Sequence, residues 1–375
     1  MDNILLSAGL AFIITFFSIP VIIKVAKKKK LYDEPDERKV HKDVIPTLGG
    51  MGIFSGFIIS LLMGISSAAN PEFQYFVAAC LVIFFMGLKD DIMDLSASKK
   101  FVGQLVTAGI IIWFGGIQLD HMHGFLGIEA IPPVASYVLT LFTIIVVTNA
   151  FNLIDGIDGL AGSLGLITSL SFGLYFYFID NISYSVMAFS LSAALLAFLI
   201  YNFSPAKIFM GDTGSLLLGT VNSILVIKFI QLASDTPTTF RVDTSPAIGF
   251  AILMVPLFDT LRVFTLRILN RRSPFSADRN HIHHFLLDLG LSHKSIVMVM
   301  GSTAVGFIAL AWVLRNLGNT TIIGILLATA CLLTSLVYQL RKKKLNKIVL
   351  KNIKTTEIRL PKIKTYTPEV AVENN

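Results

Sequence analysis

Carboxylate, amide and basic side chains recur in short polar segments between the long apolar runs of this 375-residue chain. The candidate site residues in these segments are Asp90, Asp91, Asn152, Asp155, Asp158, Asp212, Arg279, His281, His283 and His284. Several carboxylates, without cysteine or histidine at metal-site spacing beside them, suit a hard cation that takes oxygen ligands. Magnesium is therefore the expected metal, with manganese as the alternative. Because basic side chains bind phosphate oxygens, the combination predicts an enzyme that acts on a diphosphate.

The segment FMGDTGS places Asp212 between two glycines, just before a predicted helix. A carboxylate, free backbone N–H groups and the positive end of a helix dipole would converge there. The segment therefore predicts a binding point for phosphate and metal.

The carboxylate pairs also have ordinary structural explanations. Asp90 and Asp91 follow Lys89 and could simply end a helix at the membrane border. Asp155 and Asp158 would share a face if they were helical, but Asp-Gly pairs also form turns without any catalytic meaning. Neither pair alone establishes a site.

The histidines and one apolar run allow similar alternatives. His281, His283 and His284 could form a solvated cluster or a zinc site, but no carboxylate or cysteine stands at ligand spacing beside them, which favours phosphate contact. Asp259 and Arg262 lie three apart within an apolar run, where an internal ion pair is a simpler explanation than catalysis. What favours function for the other segments is their joint occurrence on one predicted membrane face.

The elements that must position these residues are membrane-spanning helices. The chain is 54% hydrophobic and 15% charged, with a mean hydropathy of +0.72, which is too apolar for a soluble protein. A helix needs about 20 apolar residues to cross a bilayer. The predicted spans are residues 4–24, 47–66, 73–88, 101–117, 134–150, 160–178, 184–203, 214–231, 246–266, 295–314 and 320–340. The fold prediction is an all-α, polytopic membrane bundle with about eleven transmembrane helices.

The distribution of basic residues predicts the orientation of this bundle. Lys and Arg are retained on the cytoplasmic side, and only Lys228, Arg241 and Arg315 lie at or near the other side. With an odd number of spans, the N-terminus is predicted outside and the C-terminus in the cytoplasm, so the candidate site faces the cytoplasm. The net charge of +7 then reflects topology and anionic lipids, and no nucleic acid partner is expected.

The predicted organisation is one membrane domain, residues 1–340, followed by a basic cytoplasmic tail, residues 341–375, that rests on the membrane surface. The first apolar run has no basic residues before Ile4 and no small-residue cleavage site after it, so a retained helix is expected. Cys80 and Cys331 both lie within apolar runs and are predicted to be packing residues.

Five ordered segments together resemble one enzyme family. They are DEPDERKVHKDVIPTLGG from Asp33, GLKDDIMDLSASKK from Gly87, NAFNLIDGIDGLAG from Asn149, NFSPAKIFMGDTGS from Asn202 and DRNHIHHFLLDLGLSHK from Asp278. The chain resembles the polyprenyl-phosphate N-acetylhexosamine-1-phosphate transferases, the WecA/TagO-type branch of the MraY superfamily. The resemblance spans nearly the whole membrane portion.

The resemblance implies a magnesium-dependent transfer of a sugar-1-phosphate from a UDP-sugar to undecaprenyl phosphate, with release of UMP. Asp90 and Asp91 would serve the lipid phosphate, one as the base that keeps the attacking oxygen deprotonated and the other near the metal. Asp212 would hold magnesium, with Asp91 as the second candidate ligand. Lys99 or Lys100 would steer the lipid phosphate. Direct attack and a two-step reaction both stay open.

The resemblance also implies where the nucleotide sugar binds. Asn152, Asp155 and Asp158 would line the nucleotide pocket, with Asp158 contacting uracil. The side chains implied for the diphosphate are Arg279, His281, His283 and His284. The reaction would start a surface polysaccharide, such as O-antigen, teichoic acid or capsule, at a bacterial inner membrane, and a homodimer is one assembly that the sequence allows.

The last segment bears on the sugar donor. It reads His-Ile-His-His followed by Phe-Leu-Leu, whereas the muramoyl-pentapeptide branch carries three consecutive histidines and then an acidic residue. The difference favours UDP-GlcNAc over UDP-MurNAc-pentapeptide, and a 6-deoxy-N-acetylhexosamine donor stays open.

Two functions of other classes remain as alternatives. A secondary transporter would bind ions with carboxylates at the middle of the membrane, but here the aspartates cluster at span ends. A CDP-alcohol phosphotransferase would need its own Asp/Gly/Ala-Arg signature, which the sequence lacks.

Overall fold

The structure, a computed structural model, describes residues 2–29, 31, 45–234, 240–271 and 280–357, with side chains to residue 347. Within these residues the chain forms a helical bundle with one small β-hairpin. Helices are expected where apolar runs meet lipid, because every backbone polar group in a bilayer must be hydrogen-bonded within its own segment.

Thirteen helices are described, and their bounds follow in chain order. They are α1 (Asp2–Lys29), α2 (Gly49–Gly64), α3 (Glu72–Met93), α4 (Ala97–Gly109), α5 (Pro133–Ile154), α6 (Leu160–Phe178), α7 (Ile182–Asn202), α8 (Gly211–Ala233), α9 (Ser245–Ile252), α10 (Met254–Leu269), α11 (Ile282–Asp288), α12 (His293–Val313) and α13 (Asn319–Glu357). A π-helical turn, Ile110–Phe114, continues α4, and a 3-10 turn, Arg315–Leu317, precedes α13. The hairpin pairs antiparallel strands β1 (His121–Phe125) and β2 (Ile128–Ala130).

Seven of the described helices are long and apolar enough to cross a membrane: α1, α5, α6, α7, α8, α12 and α13 as far as Lys347. The pair α9 and α10 is bent by 80° and could form an eighth span, and α2 is a shorter apolar helix. The predicted all-α membrane bundle is therefore confirmed. All the predicted apolar runs coincide with helices, but the count of eleven spans and the orientation of the termini stay predictions.

The boundary predicted after residue 340 falls inside α13, which continues without a break to Glu357. Arg341, just past that boundary, lies with its Nε 2.7 Å from Oδ2 of Asp288 in α11. The division into a membrane domain and a tail therefore stays a prediction, and residues 358–375 lie outside the described part of the chain.

Helix α8 is the most enclosed span, with 83% of its apolar window buried. Its N-terminal end meets α3 at Gly87, where an added Cβ would lie 2.6 Å from Cα of Thr213. Any larger side chain would push the two backbones apart. Gly87 therefore allows the end of α3, with Asp90 and Asp91, to reach the start of α8.

Replacing Gly87 with alanine is expected to destabilise this helix contact by about 1–3 kcal/mol, as overpacking of a filled core does. The thermal unfolding midpoint in detergent should fall, and turnover should fall with it, because the carboxylates of α3 move away from α8. Gly9→Ala is the matched control, since an added Cβ at Gly9 meets nothing within 4 Å. An unchanged midpoint and unchanged turnover for Gly87→Ala would contradict the close approach.

The hairpin closes the opposite end of α8. Gln231 Nε2, near the C-terminus of α8, donates to the carbonyl oxygen of Gln118 at 2.7 Å. The backbone N–H of Leu126 donates to Thr320 Oγ1 at 2.7 Å, and Asn319 Nδ2 donates to the carbonyl oxygen of His123 at 2.6 Å. These bonds fix the hairpin to α13 and the residues just before the hairpin to α8, far from the N-terminal end of α8.

Candidate active site

Four helix ends converge around Asp212: the C-terminal ends of α3 and α5 and the N-terminal ends of α4 and α8. Lys100 Nζ lies 2.7 Å from Asp212 Oδ2 and also pairs with Asp90 Oδ2. Asn152 Nδ2 donates to Asp212 Oδ1 at 3.0 Å. We call Asp90, Asp91, Lys100, Asn152 and Asp212 the carboxylate cluster. Residues from three of the predicted polar segments thus form one site.

Asp91 holds the first turn of α8. Its Oδ1 accepts the backbone N–H of Asp212 at 2.7 Å, and its Oδ2 accepts the backbone N–H of Thr213 at 3.0 Å and the Thr213 hydroxyl at 2.5 Å. The first N–H groups of a helix have no partner within the helix, and the positive end of the helix dipole favours a carboxylate there. Asp91 therefore fixes the backbone that carries Asp212.

These bonds correct one expectation from the sequence. The N–H groups at the start of α8 were predicted to be free for phosphate, but those of Asp212 and Thr213 already donate to Asp91. The segment FMGDTGS predicted the start of a helix. Nothing in it indicated that a carboxylate of another helix accepts the first N–H groups of that helix.

Three carboxylates at these helix ends have raised pKa values. Burial raises the pKa of Asp91 to about 7 and the pKa of Asp90 to about 6, and both residues lie beyond the predicted span 73–88. Burial, followed by repulsion from Asp212 and Asp91, raises the pKa of Asp155 to about 8. Burial and repulsion between the carboxylates therefore both disfavour their charged forms, and a bound cation would stabilise those forms.

The residues present fit a magnesium ion. Among the described residues, no group of three or more His, Cys, Asp or Glu side chains converges to hold a metal without help. Magnesium, however, is usually held by one or two carboxylates together with substrate phosphates and waters. Asp90 and Asp212 offer two carboxylates close enough to share one cationic group, Lys100 Nζ, and the cluster contains no thiol. This donor chemistry suits a hard cation.

Residues 281–284, which we call the histidine segment, pack on the loop between α5 and α6. A Cβ built at Gly156 would lie 2.7 Å from Nε2 of His283, so the ring rests against the loop backbone. The rings of His281 and His283 are stacked, with centroids 5.5 Å apart and 9° between planes, and the His284 ring centroid lies 4.4 Å from that of His283. The loop that carries Asp155 thus leads from the carboxylate cluster to the imidazoles.

Burial is the main cause of a low pKa for His283, which is lowered to about 3. This side chain is therefore a neutral imidazole at physiological pH. It cannot supply a positive charge to a diphosphate, although its ring nitrogens can form neutral hydrogen bonds.

Asp158 lies at the far end of this loop and is 4% exposed. Its Oδ2 accepts the backbone N–H of Ala206 at 3.2 Å and lies 3.3 Å from Nδ1 of His293, the first residue of α12. The predicted contact of Asp158 with uracil stays a prediction. Arg279 lies outside the described residues, so its predicted role stays a prediction as well.

The structure separates two lysines that the sequence left as alternatives. Lys100 joins the carboxylate cluster, whereas Lys99 is exposed. Of the two, Lys100 is the lysine that lies in the carboxylate cluster, and the predicted role of either one toward the lipid phosphate stays a prediction.

Two residues that contribute to the site, Gln104 and His293, were not predicted from the sequence. Gln104, one turn after Lys100 on α4, exchanges two hydrogen bonds with Asn149, at 3.2 and 2.8 Å, one turn before Asn152 on α5. This pair of hydrogen bonds holds together α4 and α5, the helices that bring Lys100 and Asn152 to Asp212. His293 was not predicted as a site residue, although it belongs to the last of the five polar segments. The local sign of its importance was its position at the start of a predicted helix.

Comparisons with known proteins identify relatives of this chain. Residues 73–230 match the glycosyl transferase family 4, a range that includes the whole carboxylate cluster. A Bacillus subtilis (strain 168) protein named probable undecaprenyl-phosphate N-acetylglucosaminyl 1-phosphate transferase is 35% identical over 313 residues, covering 82% of this chain and 84% of that protein. Proteins named undecaprenyl-phosphate alpha-N-acetylglucosaminyl 1-phosphate transferase are 32% identical in Salmonella typhi, covering 78% of this chain and 79% of the relative, and 31% identical in Escherichia coli (strain K12), covering 74% of each. These names support a transferase over the transporter alternative.

Proposed function

Because the chain belongs to the polyprenyl-phosphate N-acetylhexosamine-1-phosphate transferase family, we propose that it transfers GlcNAc-1-phosphate from UDP-GlcNAc to undecaprenyl phosphate. The observation that carries this proposal is the meeting of four helix ends at Asp212, beside the loop that supports the imidazoles. A site with carboxylates, a lysine and histidines at a membrane border suits a reaction between a nucleotide sugar and a lipid phosphate.

In the net reaction, an oxygen of the lipid phosphate forms a bond to the β-phosphorus of UDP-GlcNAc. The bond from that phosphorus to the oxygen bridging the α-phosphate breaks, and its electron pair leaves with UMP. Such phosphoryl transfer needs positioning and neutralisation of charge more than covalent help from the protein. The carboxylate cluster and the histidine segment supply groups for both tasks.

Each group of the cluster has a proposed task. Lys100 neutralises an incoming phosphate as a point charge, and Asn152 orients Asp212 through its 3.0 Å bond. Magnesium would neutralise charge on the diphosphate when bound, and Asp212 and Asp90 are the carboxylates best placed to hold it. The predicted ligand role of Asp91 is untested; because its oxygens already accept hydrogen bonds from α8, we propose that it positions Asp212 instead.

We propose that this multi-pass membrane protein lies in a bacterial inner membrane with its site facing the cytoplasm. Support comes from basic residues at the C-terminal ends of two other helices, Lys27, Lys28 and Lys29 at the end of α1 and Arg267 in the last turn of α10. Lysine and arginine are retained on the cytoplasmic side. The N-terminus would then lie outside and the C-terminus inside.

The polyprenyl tail is proposed to enter an apolar cavity of about 150 Å³ between α10, α11, α12 and α13. Ile282 and Leu286 line it, and they lie on the helix that also carries His283 and His284. A lipid bound there would have its chain in apolar surroundings, close to the helix that presents imidazoles.

Filling this cavity with Ala330→Phe is expected to raise the KM for undecaprenyl phosphate about 10-fold. The phenyl ring would displace part of the polyprenyl tail, and burial of that part contributes on the order of 1–2 kcal/mol to the free energy of binding. The KM for UDP-GlcNAc should not change. Ala328→Phe is the matched control on the exposed face of the same helix. Equal KM values for the lipid in both variants would contradict the proposed tail site.

The experiment that tests the proposed function measures UMP release by the purified protein in detergent. UDP-GlcNAc, UDP-MurNAc-pentapeptide and a UDP-6-deoxy-N-acetylhexosamine are compared, with undecaprenyl phosphate and magnesium each present or withheld. Release from UDP-GlcNAc that needs both additions supports the proposal. Release from only another donor would correct the sugar, and no release from folded protein beside an active relative would reject the reaction.

A further inference from the structure

Asp259 is a fully buried carboxylate with three different donors. It lies in α10 with 0% exposure. Its Oδ2 lies 2.8 Å from Nδ1 of His281, and its Oδ1 accepts the backbone N–H of Ile282 at 3.0 Å and Arg262 Nη2 at 3.1 Å. The internal ion pair predicted from the sequence is confirmed, but it is only one part of this network.

Burying a carboxylate costs free energy unless it is paired and hydrogen-bonded. Arg262 supplies the opposite charge, and it also donates to the carbonyl oxygen of Asn280, at the entrance to the histidine segment. Arg262 alone would satisfy the charge of Asp259. The two further bonds go to His281 and to the start of α11, so the network does more than neutralise a buried acid.

The bond to Asp259 decides which nitrogen of His281 carries hydrogen. An ionised carboxylate can only accept, so Nδ1 of His281 must be the donor. Nε2 is then the ring nitrogen left to contact a ligand, as in other carboxylate–histidine pairs. Because Asp259 also binds the backbone of the next residue, Ile282, both the ring and its main chain are fixed.

The position of His281 is passed on to the site. Its ring stacks on that of His283, which in turn rests against Gly156 in the loop beside Asp155. A shift of His281 would therefore move the second imidazole relative to this loop. The contacts of Asp259 are with Arg262, His281 and Ile282, so its effect on the loop and the carboxylate cluster is indirect.

We propose that Asp259 is a positioning residue for the transfer reaction, acting through His281 by presenting its Nε2 to the diphosphate of the nucleotide sugar. This inference rests on the proposed function and adds a residue to it. Asp259 itself does not touch substrate.

The test is a double-mutant cycle with Asp259→Asn, His281→Asn and the double variant, read as kcat/KM for UDP-GlcNAc at saturating lipid and magnesium. Asp259→Asn is expected to lower kcat/KM by about 10- to 100-fold, the size of the loss seen when the carboxylate behind a metal-binding histidine is changed. If Asp259 acts through His281, the double variant should be no worse than His281→Asn alone. A purely structural role would instead add a loss in the His281→Asn background.

Asp288→Asn is the matched control, because Asp288 also anchors α11, but through a pair with Arg341 at 2.7 Å that involves no histidine. It should leave kcat/KM within about twofold, as exposed ion pairs contribute little. If Asp259→Asn fails to fold, Asp259→Glu keeps the charge but lengthens a fully buried side chain by one methylene group, so the thermal midpoint should fall. At a temperature where this variant stays folded, its kcat/KM should still be lower than that of the unmodified protein.

Wild-type activity in Asp259→Asn, or losses that multiply in the double variant, would overturn the inference. If only Asp259→Glu can be purified, wild-type kcat/KM in that variant would overturn it. Neither result would contradict the proposed function. That function would be rejected if the unmodified protein released no UMP.

Discussion

Asp212→Asn is expected to abolish transfer, with UMP release falling by about 1000-fold or more, as when a group that stabilises transition-state charge is lost. The variant removes the charge that pairs with Lys100 at 2.7 Å and the carboxylate proposed to hold magnesium. The fold should survive, because Asp91 binds the backbone N–H of residue 212 and not its side chain. The measurement is UMP release at saturating substrates, beside the thermal midpoint in detergent.

Asp94→Asn serves as the control for this variant. Asp94 belongs to the same polar segment as Asp90, is exposed, and has a φ of 40°, a backbone conformation that asparagine tolerates well. It should keep both activity and stability. Substantial UMP release by Asp212→Asn would remove Asp212 from the centre of the site.

Asp91→Asn is expected to lose stability and activity together. An asparagine can accept with one oxygen only, and its amide nitrogen would face the N–H of Thr213, which now donates to Asp91 Oδ2 at 3.0 Å. Hydrogen bonds to charged groups contribute about 1.5–3 kcal/mol each, so the free energy of unfolding should fall by about 3 kcal/mol. Thermal unfolding and UMP release at reduced temperature measure the two losses separately.

A magnesium titration of the same variant distinguishes the two roles considered for Asp91. If Asp91 positions Asp212, the magnesium concentration for half-maximal activity should stay near that of the unmodified protein while kcat falls. If Asp91 is a metal ligand, that concentration should rise at least about 10-fold. The second outcome would restore the role that the sequence resemblance implied.

Much of the fold was predictable because it follows from long, nearly uninterrupted apolar runs. The bend between α9 and α10 was not, since residues 246–266 read as one continuous apolar span. Pro256, in the first turns of α10, was the local signal available. The hairpin, which lies between the predicted spans 101–117 and 134–150, was not predicted because β1 and β2 are too short to show an alternating pattern.

The site residues were predictable as a set, but their individual partners were not. Asp91 and Thr213 lie 122 positions apart, and nothing local in either segment indicates that one caps the helix of the other. Asp259 was recognised only as half of an ion pair with Arg262, because that partner is three residues away. His281, 22 positions further on, becomes its neighbour only when α11 folds back onto α10.

The fate of the β-phosphorus of UDP-GlcNAc tests the central claim most directly. The family description names a glycosyl transferase, whereas the relatives are named as 1-phosphate transferases, and the two reactions break different bonds. With donor radiolabelled at the β-phosphate, the label is predicted to appear in the lipid fraction, with unlabelled UMP released, only when undecaprenyl phosphate and magnesium are present. Label that stays with the nucleotide as UDP, while the sugar moves to the lipid, would contradict sugar-1-phosphate transfer.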